Sequence, residues 1–145
     1  MIAVRDKVRF VETDLMGVVH HSNYLRWFEM ARVEYLRAAN VLLPELIASG
    51  IVFPITEVQC KYRQPAHFDE IIRVEARLDD FSRAKLCFSY RVLRDADDVL
   101  LAEGYTQNLF TDTNGRIIRL PQLYFDRINS LRQAEDGGVA QCWCF

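Results

Sequence analysis

The feature that most restricts what this chain can fold into is a single change of hydrophobic period. Tyr24, Trp27, Phe28, Ala31, Tyr35, Ala38, Ala39 and Leu42 fall on one stripe at helical spacing. This predicts a long core helix over about Asn23 to Asn40. Ser22 or Asn23 can cap it by accepting a bond from a free backbone N–H, and Pro44 stands where a helix continues with difficulty. After Gly50 the period becomes two. Val58, Cys60 and Tyr62 oppose Gln59, Lys61 and Arg63, and then Ile72, Val74, Ala76 and Leu78 oppose Arg73, Glu75, Arg77 and Asp79. Leu86, Phe88, Tyr90 and Val92 make a third alternating run, and Val99 to Phe110 a fourth. Polar turns at Asp79 to Arg83 and Asp95 to Asp98 separate them, so the runs read as consecutive antiparallel hairpins.

Ala3 to Val11 alternates loosely, with Val8 and Phe10 on one side and Lys7 and Arg9 on the other, and is expected to be the first strand. In the last run Ala102, Gly104 and Thr106 present a face of small groups, which would let the aromatic helix approach the sheet closely. Asn114-Gly115 marks a turn, and Leu120 to Leu131 predicts a short terminal helix entered through Pro121. The tail from Gln133, with Gly137-Gly138, reads as flexible, giving a domain over 1–132 and a tail over 133–145. One strand, a long helix and four strands make an α+β layout in which a five-stranded antiparallel sheet covers a helix. Such a sheet has two edges and one helix to hide behind, so a second copy is expected to pair with it.

Composition narrows the function. The 145 residues suit one domain, and 9 Phe, 6 Tyr and 2 Trp supply a core. With 18 Lys and Arg against 20 Asp and Glu and no long basic run, nucleic-acid binding has no support. No signal peptide or apolar membrane span is visible, which makes a cytoplasmic protein the expectation. Cys60 and Cys87 stand singly in strands and read as reduced thiols. Cys142 and Cys144 form a lone Cys-x-Cys lacking the second ligand pair of a structural zinc site, so no metal is expected.

Ionisable groups concentrate just before the helix, in Glu12-Thr13-Asp14-Leu15-Met16-Gly17-Val18-Val19-His20-His21-Ser22-Asn23-Tyr24. A helix N-terminus offers unpaired N–H groups and partial positive charge, which can keep a carboxylate ionised or stabilise an oxyanion. That combination suits attack on a carbonyl. Asp14 could instead cap a turn through its side chain, the usual fate of a loop aspartate.

The frame Thr-Asp-x-x-Gly-Val-Val-x-His-x-x-Tyr over Thr13 to Tyr24, followed by Glu29-x-Ala31-Arg32, resembles the 4-hydroxybenzoyl-CoA thioesterase-like hotdog family, especially its Tol-Pal-associated acyl-CoA thioesterase branch. Phe53-Pro54, Lys61-Tyr62, Pro65, Phe68-Asp69 and Ala102-Glu103-Gly104 extend the resemblance over roughly residues 4 to 130. It implies a hotdog fold, a sheet wrapped around one long central helix, and an acyl-CoA substrate with no cofactor besides the coenzyme A it carries. Asp14 matches the family's catalytic aspartate, His21 the histidine that accompanies it, and Tyr24 the residue whose backbone N–H polarises the thioester carbonyl. The resemblance also implies an active site between protomers, in a homodimer or a homotetramer built as a dimer of dimers.

His20 replaces a tyrosine common in that branch and is expected to line the pocket with Gly17. His67 reads as part of a polar turn. Glu29 lies five residues beyond Tyr24 and so points away from it on an ideal helix; it is structural, or a reserve catalyst, since a second hotdog lineage uses a helix glutamate. Arg83 and Lys85, then Lys61 and Arg63, are candidates for the phosphates of coenzyme A. Competing readings are a hotdog dehydratase or hydratase, whose His-Gly-Gly or His-Phe-Pro-Gly signatures are absent, and a binding module without turnover.

Overall fold

In the computed structural model, which describes residues 1–136 and 141–142, the alternating segments assemble into one sheet. In chain order the elements are β1 (Ile2–Lys7), a 3-10 turn (Phe10–Glu12), α1 (Asn23–Ala38), α2 (Leu43–Ala48), β2 (Ile55–Tyr62), β3 (Ile71–Phe81), β4 (Lys85–Arg94), β5 (Leu100–Leu109), α3 (Gln122–Asp136) and β6 (Gln141–Cys142). The sheet order is β2-β5-β4-β3-β1-β6. Its first five strands all pair antiparallel, but only β3-β4 and β4-β5 are the expected consecutive hairpins: β2 crosses over to pair with β5 and leaves β3 to β1, while β6 adds a two-residue parallel edge beside β1. No alternating run in the sequence marks that sixth strand. The expected boundary at 132 falls inside α3, which carries the chain to Asp136; Gly137-Gly138 and Cys144 lie outside the described residues.

Period decides burial where a strand has sheet neighbours on both sides. Ile72, Val74, Ala76 and Leu78 of β3, and Leu86, Phe88, Tyr90 and Val92 of β4, are all buried. The α1 stripe of Tyr24, Trp27, Phe28, Ala31 and Tyr35 covers that face. Phe28 stacks on Tyr90 with ring centroids 4.4 Å apart, and Tyr35 meets Phe88 edge-on at 5.1 Å. Each fully buried aromatic contributes about 1.5–3 kcal/mol through removal from water. α3 closes the far end, where Phe125 stacks on Phe81 at 4.9 Å and Ile128 is buried.

Three segments differ from expectation. The first strand ends at Lys7, because Phe10 and Val11 turn out into solvent in the 3-10 turn, with Phe10 against Phe68. β3 runs on to Phe81 through a bulge between Leu78 and Asp80, so the turn is confined to 82–84. α1 stops at Ala38, and Asn40 takes the left-handed conformation (φ 60°) that releases the chain into α2, with Pro44 in that helix's first turn. The helices therefore number three among the described residues.

The small-residue face of β5 has a direct steric reason. A Cβ on Gly104 would sit 2.4 Å from Phe28 Cζ and 2.6 Å from the backbone oxygen of Gln59. The ring is locked against Tyr90 and the oxygen belongs to β2, so neither can retreat without moving an element. Gly104→Ala is expected to cost about 3 kcal/mol, the upper end for overpacking. Urea unfolding measures it, and an unchanged midpoint would contradict this account of the helix–sheet contact.

Candidate active site

The loop before α1 is tied down from both ends. Glu12 is buried; its Oε1 accepts the Arg9 N–H at 2.7 Å, and its carbonyl accepts the His20 N–H at 2.8 Å and Asn23 Nδ2 at 2.9 Å. Ser22 occupies the N-cap position without a side-chain cap bond: its hydroxyl pairs with His20 Nδ1 at 2.8 Å. Asn23, the other expected cap, instead anchors the loop. Gly17 takes a positive φ of 76°, and its N–H donates to the Asp14 carbonyl at 3.0 Å, turning the loop back so that Asp14 N–H reaches the Val18 carbonyl at 2.9 Å.

Asp14 does hold a turn: its Oδ1 accepts the Met16 N–H at 2.8 Å. Its Oδ2 takes no bond among the described residues, so one oxygen orients the carboxylate and the other is open. Asp14, His21, Tyr24, Tyr62, Arg63 and Pro65 line one cavity of about 310 Å³ at the start of α1. Tyr62 fixes the histidine's backbone, donating its hydroxyl to the His21 carbonyl at 3.0 Å. The Tyr24 N–H reaches only the same carbonyl, at 3.4 Å, which is long for an amide bond and leaves that donor weakly used.

Of the other expected residues, only Arg63 lines this cavity. His20 does not line this cavity; it stacks beside His21 with ring centroids 4.1 Å apart and faces Ser22. Gly17 shapes the turn without lining the cavity. His67 bonds Glu70 through Nδ1 at 2.8 Å in the turn before β3. Among the phosphate candidates, Arg63 reaches the cavity and pairs with Glu103 at 2.7 Å, and Lys61 stands exposed on β2. Arg83 donates to the Leu120 carbonyl at 2.8 Å, and Lys85 pairs with Asp80 at 2.8 Å. The register puts Lys85 seven residues from Val92, whose neighbour Ala102 pairs with Tyr62, so these two cations sit about 23 Å along the sheet from the Asp14 end of the same protomer. Glu29 is absent from the Asp14 cavity and lines a second one.

Residues 8–134 match the model of the thioesterase-like superfamily. The chain belongs to that family. The acyl-CoA thioester hydrolase YbgC of Escherichia coli is 29% identical over 98 residues, 68% of this chain and 72% of that protein. The crystal structure of TT1821 from Thermus thermophilus is 41% identical and superposes with a TM-score of 0.83, covering 89% of this chain and 98% of that one. A dihydroxynaphthoyl (DHNA)-CoA thioesterase from Staphylococcus aureus, 24% identical, shares the fold with a TM-score of 0.88 over 98% of this chain and 99% of its own. The hotdog fold and thioester hydrolysis are thus family properties of this thioesterase-like chain.

Around the cavity of this family member, burial raises the phenol of Tyr24 to about 12. Burial, with the Cys60 thiol beside it, raises Tyr62 to about 12 as well. Both stay protonated near neutral pH and can donate a hydrogen bond but cannot serve as bases. Burial also pushes the Cys60 thiol up, which removes it as a thiolate nucleophile. Among the described residues no cluster of three His, Cys, Asp or Glu could hold a metal, and no helix is long and apolar enough to cross a membrane. Sequence reasoning missed Tyr62 as a site residue. Its place in an alternating strand reads as core, and only the turn of the Asp14 loop over the end of β2 brings it to the cavity.

Proposed function

We propose that this chain hydrolyses the thioester of an acyl- or aroyl-CoA to the free acid and coenzyme A. Asp14 either attacks the carbonyl, forming an anhydride that water then opens, or takes a proton from the attacking water. The observation that carries this reading is the convergence of the open Asp14 oxygen and His21 in one cavity at the N-terminus of α1. The Tyr24 N–H and the positive end of the helix would stabilise the oxyanion, and His21 would orient the attacking group or balance its charge. Water and the substrate suffice for this chemistry, so no cofactor is required. The Thr13 to Tyr24 frame favours the Tol-Pal-associated branch, and CoA thioesters as substrates favour the cytoplasm.

Incubation with crotonyl-CoA tests the reaction type. Thiol release with the enoyl double bond retained is expected, whereas loss of the double bond without thiol release would make the chain a hydratase. A panel of acyl-CoAs bound tightly and released by none would make it a binding module.

The proposal includes a homodimer or a dimer of dimers. β2 is a sheet edge whose eight residues are all at least partly exposed, and Ile55, Val58 and Tyr62 are 44%, 49% and 48% exposed. An edge strand that keeps unpaired backbone groups beside exposed apolar side chains invites a second copy. Antiparallel pairing of β2 with its counterpart would bring the far end of one sheet, with Arg83 and Lys85, toward the Asp14 end of the other. These cations then remain candidates for the phosphates of a substrate bound by the partner. Light scattering at micromolar concentration should give the mass of two or four chains. A monomer with full activity would contradict this part of the proposal.

A further inference from the structure

A second cavity, of about 380 Å³, opens between α1 and β2. Its apolar wall is Leu25, Ile55 and Val58, and its polar members are Arg26, Glu29, Arg32 and Thr106. Arg32 is 6% exposed, yet it is almost unpartnered. Its Nη1 donates to the Tyr90 hydroxyl at 3.2 Å, that hydroxyl is already paired with Thr106 Oγ1 at 2.7 Å, and its Nε has no partner. Among the described residues no carboxylate forms an ion pair with it. A buried guanidinium with one long bond to a neutral group leaves its charge uncompensated, a costly arrangement unless an anion completes it. With Arg26 and Arg32 against Glu29, the cavity's own charge is positive.

The place of this cavity says what the anion can belong to. Arg32 follows Tyr24 by eight residues on α1, a rise of about 12 Å. Val58 precedes Tyr62 by four residues on β2, about 13 Å. Tyr24 and Tyr62 line the Asp14 cavity, while Arg32 and Val58 line this one, so the two cavities follow one another along the same seam between helix and edge strand, the groove an acyl chain would follow. We infer that Arg32 is a specificity-determining residue, and that the groove takes acyl groups bearing a carboxylate at the end remote from the thioester. The guanidinium fork matches a carboxylate, and the apolar wall suits the methylenes between the two ends.

This inference rests on the proposed hydrolase activity. Thiol release is followed for hexanedioyl- and decanedioyl-CoA, each against the neutral hexanoyl or decanoyl ester. The wild type should show a kcat/KM at least about 10-fold higher for one of the diacid esters than for its neutral match, the scale of a hydrogen bond to a charged group. Arg32→Gln should lower that ratio about 10- to 100-fold, and Arg32→Lys should restore part of it. Glu29→Gln leaves Arg32 in place and removes the opposing charge, so it should raise the ratio. Equal rates for diacid and neutral esters in the wild type, or an Arg32→Gln ratio unchanged in a variant folded by circular dichroism, would overturn the inference. If no ester released thiol, the hydrolase reading alone would fall, and calorimetric affinities of the same ester pairs for wild type and Arg32→Gln would decide the role of Arg32 in the same way.

Discussion

Asp14→Asn is expected to lower kcat by about 10³-fold or more while leaving the fold and substrate binding intact. The amide keeps the carboxylate's shape and an oxygen that can still accept the Met16 N–H, so the turn that places residue 14 survives. What disappears is the anion, and with it both routes open to the reaction: a neutral amide neither attacks a thioester usefully nor takes a proton from water. Thermal unfolding should be close to that of the wild type, and acyl-CoA affinity, read by calorimetry, should change little. The control is Glu29→Gln. Glu29 lines the other cavity, so its substitution should shift preference among substrates without abolishing turnover. Wild-type kcat in Asp14→Asn together with abolition in Glu29→Gln would transfer the catalytic role to the helix glutamate.

The second large effect separates two adjacent histidines. His21 lines the Asp14 cavity and its carbonyl is held by Tyr62, whereas His20 faces away and bonds Ser22 at the start of α1. His21→Ala should lower kcat by about 10²-fold, the scale of oriented polar or acid–base assistance. His20→Ala removes a bond at the helix start and is expected to act on stability, by up to about 1 kcal/mol, with kcat changed little. Because His20 does not line the cavity of the single chain, an effect on acyl preference is no longer its expected signature. Kinetics of both variants on one acyl-CoA, paired with thermal melts, give the answer. Equal kcat losses would remove the distinction, and a loss confined to His20→Ala would reverse it.

Much of this arrangement is legible in the residues. The α1 stripe from Tyr24 to Tyr35 and the strands β3 and β4 follow from period alone, since their in-phase positions are buried. The small face of β5 is legible for the same reason: bulk on the helix requires a gap on the sheet, and Gly104 is that gap. Periodicity carries no information about which strand is an edge. β2 alternates as well as β3 does, yet its apolar residues are half exposed because nothing in the single chain lies beyond it. Side-chain direction in the Asp14 loop was likewise hidden, because neighbouring residues in an irregular segment have no fixed phase. The frame separates His21 from His20, but that His20 bonds Ser22 instead of lining the cavity is visible only in the coordinates. Arg32 is the clearest case of tertiary override. The frame marks Arg32 as a matched position without saying where its side chain lies, and only the Tyr90–Thr106 pair beneath it reveals a buried cation.

Cleavage of acyl-CoA through Asp14 is the proposal on which the roles of His21 and Tyr24 depend. The most direct measurement is the release of free thiol, followed with a chromogenic reagent across aliphatic and aromatic acyl-CoAs, for the wild type and Asp14→Asn side by side. Steady turnover of at least one ester by the wild type is expected, with loss of that turnover but retained binding in the variant. Equal thiol release by the two proteins would contradict it.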